Sequence, residues 1–252
     1  MPSRSMLHRT KTNASEAVAS ERIIRVGVTG HRPHRLKLSD DVLRKRIASV
    51  IAALRNSGKN ARTNNVEIVS ALAEGADVIV AQAGVELGCR LTAVLPFKPK
   101  DYESTFSAKQ HKTVFRRLFA KANDRVVLPG SLRRANAGYV EVGLETLARS
   151  DIVLTIWDGA PAQGSGGTPE ILQSALDRRI PIVWIHAVKN GPPRLLRRAA
   201  FGPAPALIRF ASSAKRLRKS ELQGLPDTAA DAKTAGHKSR ESSGAQGRDA
   251  SL

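Results

Sequence analysis

The chain has 252 residues and carries 41 Lys and Arg against 22 Asp and Glu, a formal charge of +19, with 41% hydrophobic and only 4% aromatic residues. That length supports one sizeable core with appended segments. No apolar run reaches the roughly 18–20 residues of a spanning helix, so no transmembrane segment is expected. The single cysteine, Cys89, excludes an intramolecular disulfide framework and a Cys-rich metal site.

Residues 1–22 hold four basic and two acidic side chains and no apolar h-region. They read as a disordered lead rather than a secretory signal. From Ile23 the pattern alternates. Ile23–Gly30 is a β-branched run ending in glycine, the signature of a buried strand. The stretch from Ser39 to Gly58 predicts a helix. Ser39 can cap it, Asp40 and Asp41 suit its positive end, Gly58 can stop it, and Val42, Ile47, Val50, Ile51 and Leu54 give an apolar face. A strand (66–72), a helix (75–88) and a strand (90–97) follow. A polar helical segment spans about 101–123, then a strand (125–130), a helix (137–150), a strand (151–159), a helix (168–179) and a strand (181–187). Six strands alternating with five helices predict an α/β fold: Rossmann-like and doubly wound, with a mostly parallel sheet of about six strands and helices on both faces.

This domain, 23–188, holds 24 basic and 15 acidic residues. Beyond it the composition changes. Residues 189–220 hold nine basic side chains and no acidic one, so 189–222 reads as a basic extension. Leu207, Ile208, Phe210 and Leu217 lie among those charges. A basic amphipathic helix on an anionic surface, docking on a partner, nucleic-acid contact and disorder all stay open for it. The Gly-, Ala-, Ser- and Asp-rich segment 223–252 cannot bury enough surface to order itself.

In doubly wound folds ligands bind beyond the carboxyl ends of the strands. Three strand-to-helix loops stand out there. The first runs from Gly27 to Arg35. Gly30 lets backbone approach a ligand, Thr29 offers a hydroxyl, His31 a donor, and Arg32 a fork for phosphate. It is neither a GxGxxG nor a P-loop sequence. His31 and His34 have no carboxylate or Cys partner at metal spacing, so no metal site is expected. The second loop, Ser70–Asp77, opens a helix whose amides could hold an anion, with Gly75 in the turn. Ser70 and Glu74 could hydrogen-bond a ribose or base, and Asp77 reads best as a first-turn helix acid. The third runs from Trp157 to Glu170, with Asp158 and Gly159 at the strand end. Gly164, Gly166 and Gly167 permit a backbone nest, Thr168 can cap, and Pro169 suits the first helical position. Together they read as a phosphate cradle. Glu170 could receive ribose hydroxyls, act as a general acid/base on a glycosidic bond, or satisfy the helix dipole. Cys89, Trp157, Trp184, Tyr102 and Phe106 read as packing residues.

On these motifs the chain resembles the SLOG superfamily. GVTGHR, the stretch from Ser70 to Leu95, and DIVLTIWDG followed by GSGGTPE occur in the right order on one βα pattern. Ser70–Leu95 is similar to the SMF pattern of DNA-processing protein A, and Gly164–Glu170 to the PGGxGTxxE loop of LOG enzymes. Here the run Gly167-Thr168-Pro169-Glu170 is one residue shorter, and the upstream Arg-Lys motif of LOG enzymes has no counterpart. The resemblance implies a Rossmann-like domain that binds a nucleotide or nucleotide-derived ligand, of NAD/ADP-ribose or nucleoside-monophosphate type. Two alternatives come with it: LOG-type hydrolysis of a nucleoside monophosphate, with Glu170 as the catalytic residue, and single-stranded DNA binding. No further cofactor is expected. A cytoplasmic setting fits the cysteine usage, and homo-oligomerisation stays open.

Overall fold

The β-branched runs and amphipathic segments assemble into one sheet clad by helices in a computed structural model, which describes residues 22–57, 64–161, 167–196 and the pair 215–216. The strands are β1 (Ile23–Gly30), β2 (Asn65–Ser70), β3 (Arg90–Leu95), β4 (Asp124–Val127), β5 (Ile152–Trp157), β6 (Ile182–His186), β7 (Arg194–Leu196) and β8 (Lys215–Arg216). The helices are α1 (Asp40–Arg55), α2 (Ala76–Glu86), α3 (Pro99–Ser104), α4 (Lys109–Lys121), α5 (Ala135–Ala148) and α6 (Thr168–Asp177). The sheet order is β4-β3-β2-β1-β5-β6-β7-β8. The first six strands are parallel, with Val26 level with Ile68 on one side and Val28 level with Leu154 on the other. The fold is Rossmann-like α/β.

Side chains alternate across the sheet as the pleat requires. Ile24, Val26 and Val28 of β1, with Ile152, Leu154 and Ile156 of β5, face the larger core beneath α1, α2 and α4. Val153 and Trp157 of β5 face the opposite way, into a second core with Ile171, Leu172, Ala175 and Leu176 of α6. Both faces of the central strands are thus covered, which is why those strands read as unbroken apolar runs.

Several boundaries differ from the expectation. Leu43, not Val42, completes the buried stripe of α1. Ser39 stands at the N-cap position but makes no side-chain cap bond. The C-terminus of α1 is closed before Gly58, which lies outside the described residues. Ser57 Oγ and Asn64 Nδ2 both donate to the Leu54 carbonyl and satisfy it there. The expected helix over 101–123 is two helices. They break at Thr105–Ala108, where the Ser107 amide donates to Glu74 Oε1 (2.7 Å) instead of to a helical carbonyl. The sheet also continues past residue 188. Arg194–Leu196 adds an antiparallel strand against β6 and buries Leu195 and Leu196. Lys215–Arg216 pairs antiparallel with β7 in turn. The amphipathic reading of 207–217 and the tail from 223 otherwise lie outside the described residues. Among the described residues no helix is long and apolar enough to cross a membrane.

Candidate functional site

From β1 the chain winds outward through β2, β3 and β4, then returns to β5 on the other side of β1. Successive connections therefore diverge at the carboxyl ends of β1 and β5. Diverging connections leave a crevice in a doubly wound sheet. A pocket of about 350 Å³ occupies it. Its walls come from the β1 loop (Thr29–Arg32, His34, Arg35), the start of α2, α3, α5 and the start of α6.

The β1 loop is fixed at both ends. His31 N–H donates to the Ile156 carbonyl (3.0 Å), and the His31 carbonyl accepts from Ala76 N–H (3.0 Å). Gly30 is where β1, β5 and α2 converge. A Cβ there would lie 2.5 Å from the Ala76 Cβ and 2.7 Å from the Ile156 carbonyl. Gly75 has φ +100, and a Cβ there would lie 2.3 Å from the His31 carbonyl, a conformation and an approach that only glycine tolerates. The start of α2 is thus committed to the β1 loop. Its Ala76 amide serves the protein itself.

Cationic groups gather at the pocket mouth. Arg32, half-exposed, lies 3.8 Å from Glu74 Oε2. Arg35 is oriented from behind by Asp158, whose Oδ2 accepts from Nη2 (2.6 Å) and Nε (3.1 Å). Asp158 Oδ1 also lies 2.8 Å from His31 Nε2, a close contact between side chains that are 18% and 5% exposed. Burial alone would raise the Asp158 pKa. His31, the Ala160 amide and Arg35 outweigh it and hold the carboxyl at about 2. Burial dominates at His31 and lowers its pKa, against the pull of Asp158. Asp158 is therefore an ionised anchor behind the wall. Neither it nor Gly159 lines the pocket.

At the far side, α6 begins one residue earlier than expected relative to its cap. Gly167 is the N-cap, and Thr168 and Pro169 form the first turn. Pro169 has no N–H, and the amides of Glu170 and Ile171 turn back to the Gly167 carbonyl (3.1 and 3.3 Å). Gly167, Thr168 and Pro169 line the pocket, whereas Glu170 is exposed and outside the lining. Gly164 and Gly166 lie outside the described residues.

The second loop contributes from beneath. Ser70 is fully buried. Its Oγ accepts from Leu72 N–H (3.0 Å) and donates to Asp77 Oδ2 (3.3 Å), supporting a turn in which Leu72 has φ 55. Glu74 clamps the α3–α4 connection through Ser107 N–H (2.7 Å), Ser107 Oγ (3.0 Å) and His111 Nδ1 (2.7 Å). Burial raises its pKa, but His111 and Ser107 outweigh that and leave it below the usual range. Thus Thr29, Gly30, His31, Arg32, Gly167 and Thr168 meet at one pocket, Ser70, Glu74, Gly75 and Asp158 support it, and Gly159 lies outside its lining.

The lining also includes residues outside the predicted site, among them the polar or charged His34, Arg35, Asp77, Tyr102 and Tyr139. Asp77 and Tyr102 lie at the floor, buried yet bordering the cavity. Burial raises the Asp77 carboxyl to about 7, against the lowering effects of Arg32, the Ser70 hydroxyl and the Ala73 and Ala71 amides. Arg35 lies within the β1 loop, three residues past Arg32. Nothing in the sequence signalled that α3 would swing Tyr102 under that loop.

No protein-family model and no curated protein sequence matches the chain. Among solved structures it is similar to DNA processing protein A from Streptococcus pneumoniae, with 21% identity and a TM-score of 0.42, over 65% of this chain and 50% of that one. The chain therefore spans about half the length of that protein.

Proposed function

We propose that the pocket binds a phosphorylated nucleotide or nucleotide-derived ligand, of nucleoside-monophosphate or NAD/ADP-ribose type. The observation that carries this reading is the meeting of Arg32, His34, Arg35 and the first turn of α6 around one cavity at the strand-order switch. Guanidinium groups favour a phosphate. Arg35 is pre-oriented by Asp158, so little side-chain entropy is lost when it takes a second anion. Val142, Ile171 and the Tyr139 ring supply an apolar wall on which a base can lie.

The test is isothermal titration of the full chain with AMP, ADP-ribose and NAD. At least one should bind, and Arg35→Ala should weaken it about tenfold or more, the worth of a charge-assisted hydrogen bond. Absence of binding by all three to folded protein would overturn the reading.

A further inference from the structure

We propose that Asp77 and the Tyr102 hydroxyl form a subsite in the pocket floor that takes the vicinal hydroxyls of a sugar; this rests on the nucleotide reading above and assigns its ribose.

Tyr102 is fully buried and its ring is fixed by edge contacts with Phe106 (5.0 Å between centroids), Phe115 (5.8 Å) and Phe97 (6.2 Å). That aromatic packing accounts for a phenyl ring; it gives no reason for the hydroxyl. Among the described residues the hydroxyl has no hydrogen-bond partner. Its electrostatic neighbours are Asp77, Arg32, Tyr139 and Glu74, the first three of which line the pocket with it. A buried polar group without a partner is unfavourable and rare. A ligand atom reaching the floor would supply the missing bond.

Asp77 is the one carboxyl among the described residues that line the pocket. It is held in place by Ser70 Oγ and by the amides of Ala71 and Ala73. A phosphate would meet repulsion here and fits the Arg35 side instead. The Asp77 carboxyl accepts when ionised and also donates when it keeps its proton, which burial favours. The Tyr102 hydroxyl can donate and accept. Base edges have fixed donors and acceptors and match only one such state. Sugar hydroxyls can donate or accept and match both. The floor is therefore suited to a diol, with phosphate at the mouth. On this assignment the sugar is read by Asp77 and Tyr102 rather than by the exposed Glu170.

The experiment is calorimetric titration of the full chain, as wild type and as Tyr102→Phe, with AMP and with its 2′,3′-dideoxy analogue. Wild type should bind AMP about tenfold more tightly than the analogue, one to two hydrogen bonds' worth. Tyr102→Phe should lose most of that preference while melting no lower than wild type, because the deleted hydroxyl bonds to none of the described residues. Asp77→Asn, if it folds, should also narrow the preference. Equal affinity for the two nucleotides in wild type, or undiminished preference in Tyr102→Phe, would overturn the subsite and leave nucleotide binding intact. Failure of both nucleotides to bind would overturn the subsite together with the AMP reading on which it rests.

Discussion

Asp158 and Asp77 lie on the same strand rim and respond to pH in opposite directions. Asp158 is held at about 2, below its ordinary value of 3.8, by His31, the Ala160 amide and Arg35 acting against burial. The unfolded chain therefore binds its proton more readily. The stability this contributes is present above about pH 4 and is lost as pH falls through 2. Asp158→Asn should cost about 2 kcal/mol at neutral pH and flatten the acid limb of the stability profile, both readable from urea unfolding. Asp77 is raised from 3.8 to about 7 by burial. Its native form holds the proton longer, so it lowers stability progressively between about pH 4 and 7. Asp77→Asn should lose less stability than wild type between pH 5 and pH 8; an equal loss would contradict the shift. The sequence made Asp77 look like an ordinary first-turn helix acid, since spacing reveals a position on a helix and not its depth. Arg32 and Thr29 were legible because a strand ending in glycine fixes which side chains reach the rim.

Elements are joined at this rim by close backbone approaches. Gly75 couples the start of α2 to the β1 loop, with φ +100 and no room for a Cβ beside the His31 carbonyl. Gly75→Ala combines backbone strain with a backbone clash and should destabilise by roughly 2–4 kcal/mol. Chemical denaturation checks this, and a value below about 1 kcal/mol, within the scatter of ordinary surface changes, would mean the loop relaxes freely. The central parallel strands were legible because each is a largely apolar run bounded by polar turns, whereas β4, at the edge, is short and mostly exposed. The break between α3 and α4 was not, because Glu74, which captures the Ser107 amide, lies 33 residues upstream of it. A three-residue strand such as β7, just after Pro192 and Pro193, is too short to carry a period. The Gly-rich approach to α6 illustrates the same limit. Composition located the helix start correctly, and only the backbone geometry moved the cap from Thr168 to Gly167.

At the scale of the molecule, a charge of +19 would attract any polyanion, so attraction alone does not identify the ligand. Pocket binding and surface binding differ in how many charges they use. A nucleoside monophosphate brings about two charges to Arg32, Arg35 and His34, so raising salt from about 0.1 to 0.3 M should weaken it only a few-fold. A single strand lying across the basic surface would displace several counterions, each contributing about 0.7 to the slope of log affinity against log salt. Its retention on the full chain should therefore fall by orders of magnitude over the same range. Arg35→Ala should weaken the nucleotide and leave the strand nearly untouched, because Arg35 is turned inward by Asp158 and is one of 41 basic residues. Filter binding of a labelled single strand, alongside calorimetry of AMP at each salt concentration, separates the two modes. If both slopes are equally steep, the pocket is only a part of one polyanion-binding face. If AMP holds its affinity while the strand is released, the rim of β1 and β5 is a discrete small-molecule site.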